Sequence, residues 1–293
     1  MQKLVLLLIS LLLFSSSKST LREEQESIIS ILSGNTPLPN GEIITNRSSK
    51  HNRELTRTYL SDLISDLNLT PEIQNYKMPN LNPLIDLLFN PFSGANVYTI
   101  LPSTTKSDEY IILGAHFDTE RNCPGAIDNA TGVALIYSVL HQLTTLEKRD
   151  KNVIVIFFDQ EEEDLIGSQA FAKYCKKEAL NIHSVHTFDT MGWDRDNDKA
   201  VELELPSESL ESLYSSHANA LDIPFHITKV NSTDHQSFRA LGYNAIGLTD
   251  EYANGDYAPY KDTENDTYDT VNFEYLESCT NLVYSAIKDL VTQ

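Results

Sequence analysis

The sequence predicts an α/β fold built on a mostly parallel sheet with helices covering both faces. Three observations carry this prediction. Short runs rich in β-branched and aromatic residues alternate with helical patterns along most of the chain. The central runs, such as Val153-Ile-Val-Ile-Phe-Phe158, are apolar at every position rather than at every second one. Polar residues able to do chemistry follow the ends of these runs. A strand that is apolar on both faces must be buried on both, as in a parallel sheet sandwiched between helices.

Taken in order, apolar residues recur at helical spacing from Leu21 to Leu32 and from Asn52 to Leu67, predicting two helices ahead of the sheet. Between Lys77 and Gly94, Pro79, Pro83 and Pro91 predict an irregular excursion. Strands are expected at Asn96–Leu101, Tyr110–Gly114, Asn152–Phe158, Ser184–Asp189, Ala200–Leu205, Phe225–Val230 and Ala245–Thr249. Helices are expected at Ala130–Leu146, about Leu165–Tyr174, Ser207–Ala220 and Phe273–Val291. With no internal repeat and no low-complexity linker, residues 21–293 are expected to form one domain.

Residues 1–20 have a different character. A basic start at Met1-Gln-Lys precedes the apolar run Leu4–Phe14 and a small polar exit at Ser15-Ser-Ser, the pattern of a cleaved secretory signal peptide. The expected product is a secreted or periplasmic monomer, with no membrane association after cleavage. A formal net charge of −20 speaks against a nucleic-acid partner, because phosphate binding needs clustered Lys and Arg. Three cysteines, Cys123, Cys175 and Cys279, allow at most one internal disulfide and do not have the spacing of a metal knuckle.

In open α/β sheets the loops at the carboxyl ends of the strands carry function. Here His116-Phe-Asp118 follows one strand, and Pro124-Gly-Ala-Ile-Asp128 opens the next helix. Asp159-Gln-Glu161-Glu162-Glu163 follows a second strand, and Asp189 a third. So many acids at one partly buried edge would repel one another, and a divalent cation makes the cluster favourable. His116 can bind metal while Asp118 orients its ring. Asp128 could bridge two ions, Glu162 could coordinate, and Glu161 could act as general base toward the attacking water. Each also has a plain structural reading: a surface pair for His116 and Asp118, a helix start for the glutamates, an N-cap for Asp128, a turn for Asp189.

Together with Phe188-Asp189-Thr-Met-Gly192 and Thr233-Asp234-His235-Gln-Ser-Phe238, these segments resemble, in order, the motifs of the co-catalytic zinc exopeptidases. That superfamily includes bacterial leucyl aminopeptidases, glutamate carboxypeptidase and glutaminyl cyclase. The resemblance implies a three-layer α/β/α fold with a mixed, mostly parallel sheet of about eight strands. It implies metal-dependent removal of N-terminal residues from peptides with a free N-terminus, although carboxypeptidase or dipeptidase action stays open. By the same resemblance one zinc is held by His116, Asp128 and Asp189. A second is held by Asp128, Glu162 and a late histidine, with Glu161 as base and Asp118 supporting catalysis. Asp234 and His235 would support the site. The family's Tyr-His-Thr-x-x-Asp-Thr appears here as Lys261-Asp262-Thr263-Glu-Asn-Asp266-Thr267, so Asp262 stands where the histidine belongs. Three outcomes follow: a two-metal enzyme with Asp262 as ligand, a one-metal enzyme, or a non-catalytic binding protein. The harder donor set opens the second position to manganese or cobalt. Lys261 could instead bring its ammonium to that place. A glutaminyl cyclase with one zinc is the nearest rival. That family has tryptophan beside its catalytic glutamates and its late histidine, whereas the only tryptophan here is Trp193.

Overall fold

A computed structural model describes residues 20–79, 82–89 and 92–293. The expected signal peptide, apart from Thr20, and Pro91 lie outside the described residues. In chain order the helices are α1 (Leu21–Leu32), α2 (Lys50–Asp66), α3 (Pro83–Phe89), α4 (Gly132–Thr144), α5 (Ile166–Lys177), α6 (Glu208–Ala220), α7 (His235–Arg239) and α8 (Phe273–Thr292). The strands are β1 (Glu72–Lys77), β2 (Ser93–Leu101), β3 (Glu109–His116), β4 (Asn152–Phe158), β5 (Asn181–Phe188), β6 (Val201–Glu204), β7 (Phe225–Thr228) and β8 (Ala245–Thr249). All eight join one sheet in the order β1-β2-β4-β3-β5-β8-β6-β7. The centre, β4-β3-β5-β8, is parallel, while β1 against β2, β2 against β4 and β6 against β8 are antiparallel.

Side chains alternate between the two faces of a strand, and the all-apolar runs use both. Val153, Val155 and Phe157 of β4 join the larger core with α1, α4 and α8. Ile154, Ile156 and Phe158 join a second core with Phe171 of α5 and Phe238 of α7. The expected three layers are therefore present. Among the described residues, no helix is long and apolar enough to cross a membrane.

The structure departs from the expected elements in two stretches. The proline-marked excursion contains α3, where Pro83 occupies a first-turn position that tolerates its missing N–H. Its apolar side chains are exposed, Leu87 by 76%. The edge strand β1 was not expected, because Glu-Ile-Gln-Asn-Tyr-Lys is mostly polar and lies largely open to solvent. The cysteines also differ from the expectation that a bridge could form: Cys123, Cys175 and Cys279 are each buried and free.

Ahead of the sheet, the loop between α1 and α2 contributes Arg47, which is fully buried. Its guanidinium donates to the carbonyls of Leu32, Phe117, Pro124 and Gly125, and its backbone N–H donates to Thr119 Oγ1. It therefore ties the helical segment to the loops after β3. Arg47→Met keeps the stem but leaves these carbonyls unsatisfied, and should lower unfolding free energy by about 3–5 kcal/mol. The exposed Arg22→Ala should stay within about 0.5 kcal/mol of the parent. Denaturant unfolding followed by circular dichroism compares the two, and a silent Arg47→Met would refute this role.

Candidate active site

The four parallel strands at the centre end at one edge, and each delivers a polar group there. His116 closes β3, while Asp159, Asp189 and Asp250 follow β4, β5 and β8. Asp159 turns away from the chemistry. Its carboxylate pairs with Arg53 at 2.8 Å and Arg57 at 3.3 Å and accepts the amide of Ala95, anchoring the end of β4.

His116 carries its Nε2 to 3.1 Å from Asp128 Oδ1 and 3.4 Å from Asp189 Oδ1. Its Nδ1 lies 3.6 Å from Asp118 Oδ1. Both ring nitrogens, both Asp128 oxygens and Asp189 Oδ1 are buried without a hydrogen-bond partner. Orphaned buried polar atoms are rare, and several converging on one point are what a cation satisfies. The donor atoms of His116, Asp128 and Asp189 all lie within 4.8 Å of one another, as do those of Asp128, Glu162 and Asp262. Asp128 belongs to both groups.

The loop around Asp128 is built to hold this carboxylate. Gly125 has φ +65°, and a Cβ there would sit 2.5 Å from the Asp128 carbonyl oxygen. Helix α4 begins only at Gly132, with Thr131 as N-cap, so Asp128 is no N-cap. The Asp266 carboxylate accepts the amides of Ile127 at 2.8 Å and Asp128 at 2.9 Å. Asn129 donates its side-chain N–H to the Phe188 carbonyl at 2.8 Å, tying the loop to the strand that carries Asp189. Asp118 does more than face His116: its two oxygens accept the amides of Glu161 and Glu162 at 2.9 and 3.2 Å. One carboxylate thus fixes both the imidazole and the paired glutamates.

Lys261 also reaches Asp128, with Nζ 3.1 Å from Oδ2. Burial works against charge on Asp128, but Lys261 and His116 together hold it well below the usual carboxylate range. The attraction of Asp128 raises Lys261 further still. Burial opposes charge on His116 too, yet Glu161 and Asp189 keep it well above an ordinary imidazole. Burial pushes Glu161 and Glu162 upward, aided by neighbouring acids.

A pocket of about 380 Å³ opens beside Glu161 and Asp189, with Thr190, Glu204, Thr249, Tyr252, Tyr257 and Lys261 in its wall. Tyr260 does not line it and instead packs edge-on against Trp193. The Trp193 indole N–H donates to Asp256. Asp234 is buried with Oδ1 unpartnered and gives no side-chain cap to α7. Arg47, Asp266 and Glu204 were not singled out from the sequence. Arg47 and Glu204 carry no motif, while Asp266 sits inside the segment quoted for Asp262.

A mixed α/β sheet that gathers a histidine and a set of orphaned acids at one edge is a frame able to hold divalent metal ions. Peptidase family M28 matches residues 96–287, well over half of the chain, and the chain belongs to that family. Among curated proteins, it is 26% identical over 200 residues to Aminopeptidase YwaD of Bacillus subtilis (strain 168), covering 65% of this chain and 43% of that protein. It is 26% identical over 222 residues to Leucine aminopeptidase 1 of Ajellomyces dermatitidis (strain ER-3 / ATCC MYA-2586), covering 68% and 56%. The chain spans about half the length of these curated relatives. Among solved structures, BSAP, a zinc aminopeptidase from Bacillus subtilis, superposes with a TM-score of 0.81 at 14% identity, over 93% of this chain and 95% of that one. The glutaminyl cyclase of Porphyromonas gingivalis does so at 0.73 and 13%, over 92% and 98%. Both share the fold.

The charge pattern fixes a pH response for the metal-free protein. Burial raises Glu204 to about 8 and Asp266 to about 7, so the native state keeps protons that an unfolded chain releases near pH 4. Stability contributed by these groups is lost as pH rises through those values. Burial lowers His186 to about 3 and His235 to about 4, an opposite contribution that is complete by about pH 6.5. Chelator-treated protein should therefore melt at progressively lower temperature between about pH 6.5 and 9. Added metal should stabilise most at the alkaline end, because its ligands must be deprotonated. Scanning calorimetry across that range checks both, and an apo melting temperature that climbs with pH would contradict the assignment.

Proposed function

We propose that the chain is an exported, monomeric metallo-aminopeptidase that hydrolyses the N-terminal residue from peptides with a free α-amine. The observation that carries this is the shared carboxylate: Asp128 belongs to two donor groups, and Glu161 stands beside them in the wall of a pocket. Two curated relatives bear the name aminopeptidase. Export rests on the basic, apolar, small-polar order of the first residues.

Zinc is the ion we infer, held by His116, Asp128 and Asp189 at one position and by Asp128, Glu162 and Asp262 at the other, where manganese or cobalt also suits the all-oxygen donors. Bound there, the ions supply Lewis acidity at the scissile carbonyl and acidify water. Glu161 takes the proton from the attacking water and returns it to the leaving amine as the C–N bond breaks. Asp118 holds the backbone of Glu161 and Glu162 in place for this. The substrate ammonium is favoured among Glu161 and Asp189.

Glu161→Gln keeps the shape and removes the base. Hydrolysis of aminoacyl coumarin amides should fall by at least about a thousandfold while metal content, read by mass spectrometry, stays at the parent level. Near-parental turnover in that variant would refute the proposal. Lys261 decides the second ion, because its ammonium must leave Asp128 Oδ2 before a cation can share that oxygen. Lys261→Met should strengthen binding of the weaker ion by about tenfold or more in a chelator titration. An unchanged titration would show that Lys261 does not compete.

A further inference from the structure

Strand β6 carries two buried glutamates on the same face, Glu202 and Glu204, and they are used differently. Glu202 accepts the amides of Ala253 at 2.9 Å and Asn254 at 2.8 Å, fixing the loop that bears Tyr252 and leads to Tyr257. Glu204 has no such employment. It is 1% exposed, and its Oε2 has no hydrogen-bond partner.

The fold makes room for this unpartnered carboxylate. Glu204 lies opposite Gly247 of β8, and a Cβ on Gly247 would come within 2.4 Å of Glu204 Oε2. His235 Nδ1 is 3.5 Å away, and burial keeps that imidazole near 4, so it is neutral at neutral pH and supplies no countercharge. Of the other charged groups that act on Glu204, Asp189 and Glu202 are acids, and the ammonium of Lys261 is held by Asp128. A buried acid without a cation is costly, and this one faces the pocket beside Glu161 and Asp189.

We propose that this pocket receives the side chain of the substrate's N-terminal residue and that Glu204 selects lysine or arginine there. The proposal rests on the aminopeptidase reading. A lysine ammonium or arginine guanidinium gives Glu204 the charge-assisted hydrogen bond it lacks. The methylene stem runs along apolar and aromatic wall groups, as such stems do elsewhere. Tyr252 and Tyr257, whose rings pack 5.5 Å apart, furnish that wall. An N-terminal leucine would leave the Glu204 carboxyl buried without a partner, and an acidic residue would bring a further acid beside it.

The test uses full-length, metal-loaded protein and coumarin amides of lysine, arginine, norleucine and leucine. Norleucine has the lysine stem without the ammonium. Lysine should exceed norleucine in kcat/KM by about 10- to 100-fold, and Glu204→Gln should bring that ratio to near one. Equal or better hydrolysis of norleucine by the parent, with a ratio that Glu204→Gln leaves unmoved, would overturn the role of Glu204 and leave the aminopeptidase reading standing. Failure of metal-loaded parent to cleave any of the four would overturn that reading and this inference with it. Should Glu204→Gln fail to fold, inhibition of the parent by lysinamide and norleucinamide decides: tighter inhibition by lysinamide supports the inference, and equal inhibition overturns it.

Discussion

The carboxylate of Asp128 stands between two positive partners, the imidazole of His116 on one oxygen and the ammonium of Lys261 on the other. Around it the remaining charge is negative: Glu161, Glu162, Asp189, Asp262 and Asp234 crowd the same sheet edge. At neutral pH this arrangement is tolerable only if protons or cations offset the repulsion. The frame that holds the acids in place is accordingly made of neutral or satisfied groups. Backbone amides bind Asp118 and Asp266, the Asn129 side chain holds the Phe188 carbonyl, and Arg47 covers four carbonyls behind the loop. The frame spends its polar groups on positioning and makes no hydrogen bond to the side-chain oxygens of Asp128 or the ring nitrogens of His116.

The same division runs through the pocket wall. Glu202 and Asp250 have acceptors filled by amides or hydroxyls, whereas Glu204 does not. Side chains with completed hydrogen bonds shape the cavity, and those without have something left to bind. Distinguishing the two by partner rather than by residue type separates scaffold from chemistry in a site with so many carboxylates.

Much of the fold was legible because its central strands must bury both faces, as Val153–Phe158 does between two cores. The edge strand β1 was hidden, since an edge needs no apolar alternation and Glu72–Lys77 shows little. Helix α3 was masked by prolines whose position at a first turn matters more than their presence. His116, Asp118, Asp128, Glu161, Glu162 and Asp189 could be placed because they follow recognisable strand ends, and the structure brings them together. Asp262 was expected at the second position ahead of Lys261, yet both reach the surroundings of Asp128, because adjacent residues in an irregular loop carry no periodicity that says which one points inward. Arg47 and Glu204 were invisible for a related reason: each acts through groups distant in sequence, and a lone charged residue leaves no local pattern.

The anchoring of the site from ahead of the family-matched segment has a consequence for how this protein can be divided. Arg47 reaches the carbonyls before Asp128, and Arg53 with Arg57 neutralises Asp159 at the end of β4, yet all three arginines precede residue 96. The matched segment therefore draws part of the support for its strand ends from residues outside it. The geometry of the acids is thus tied to contacts of long sequence separation, between the early helices and the strand ends.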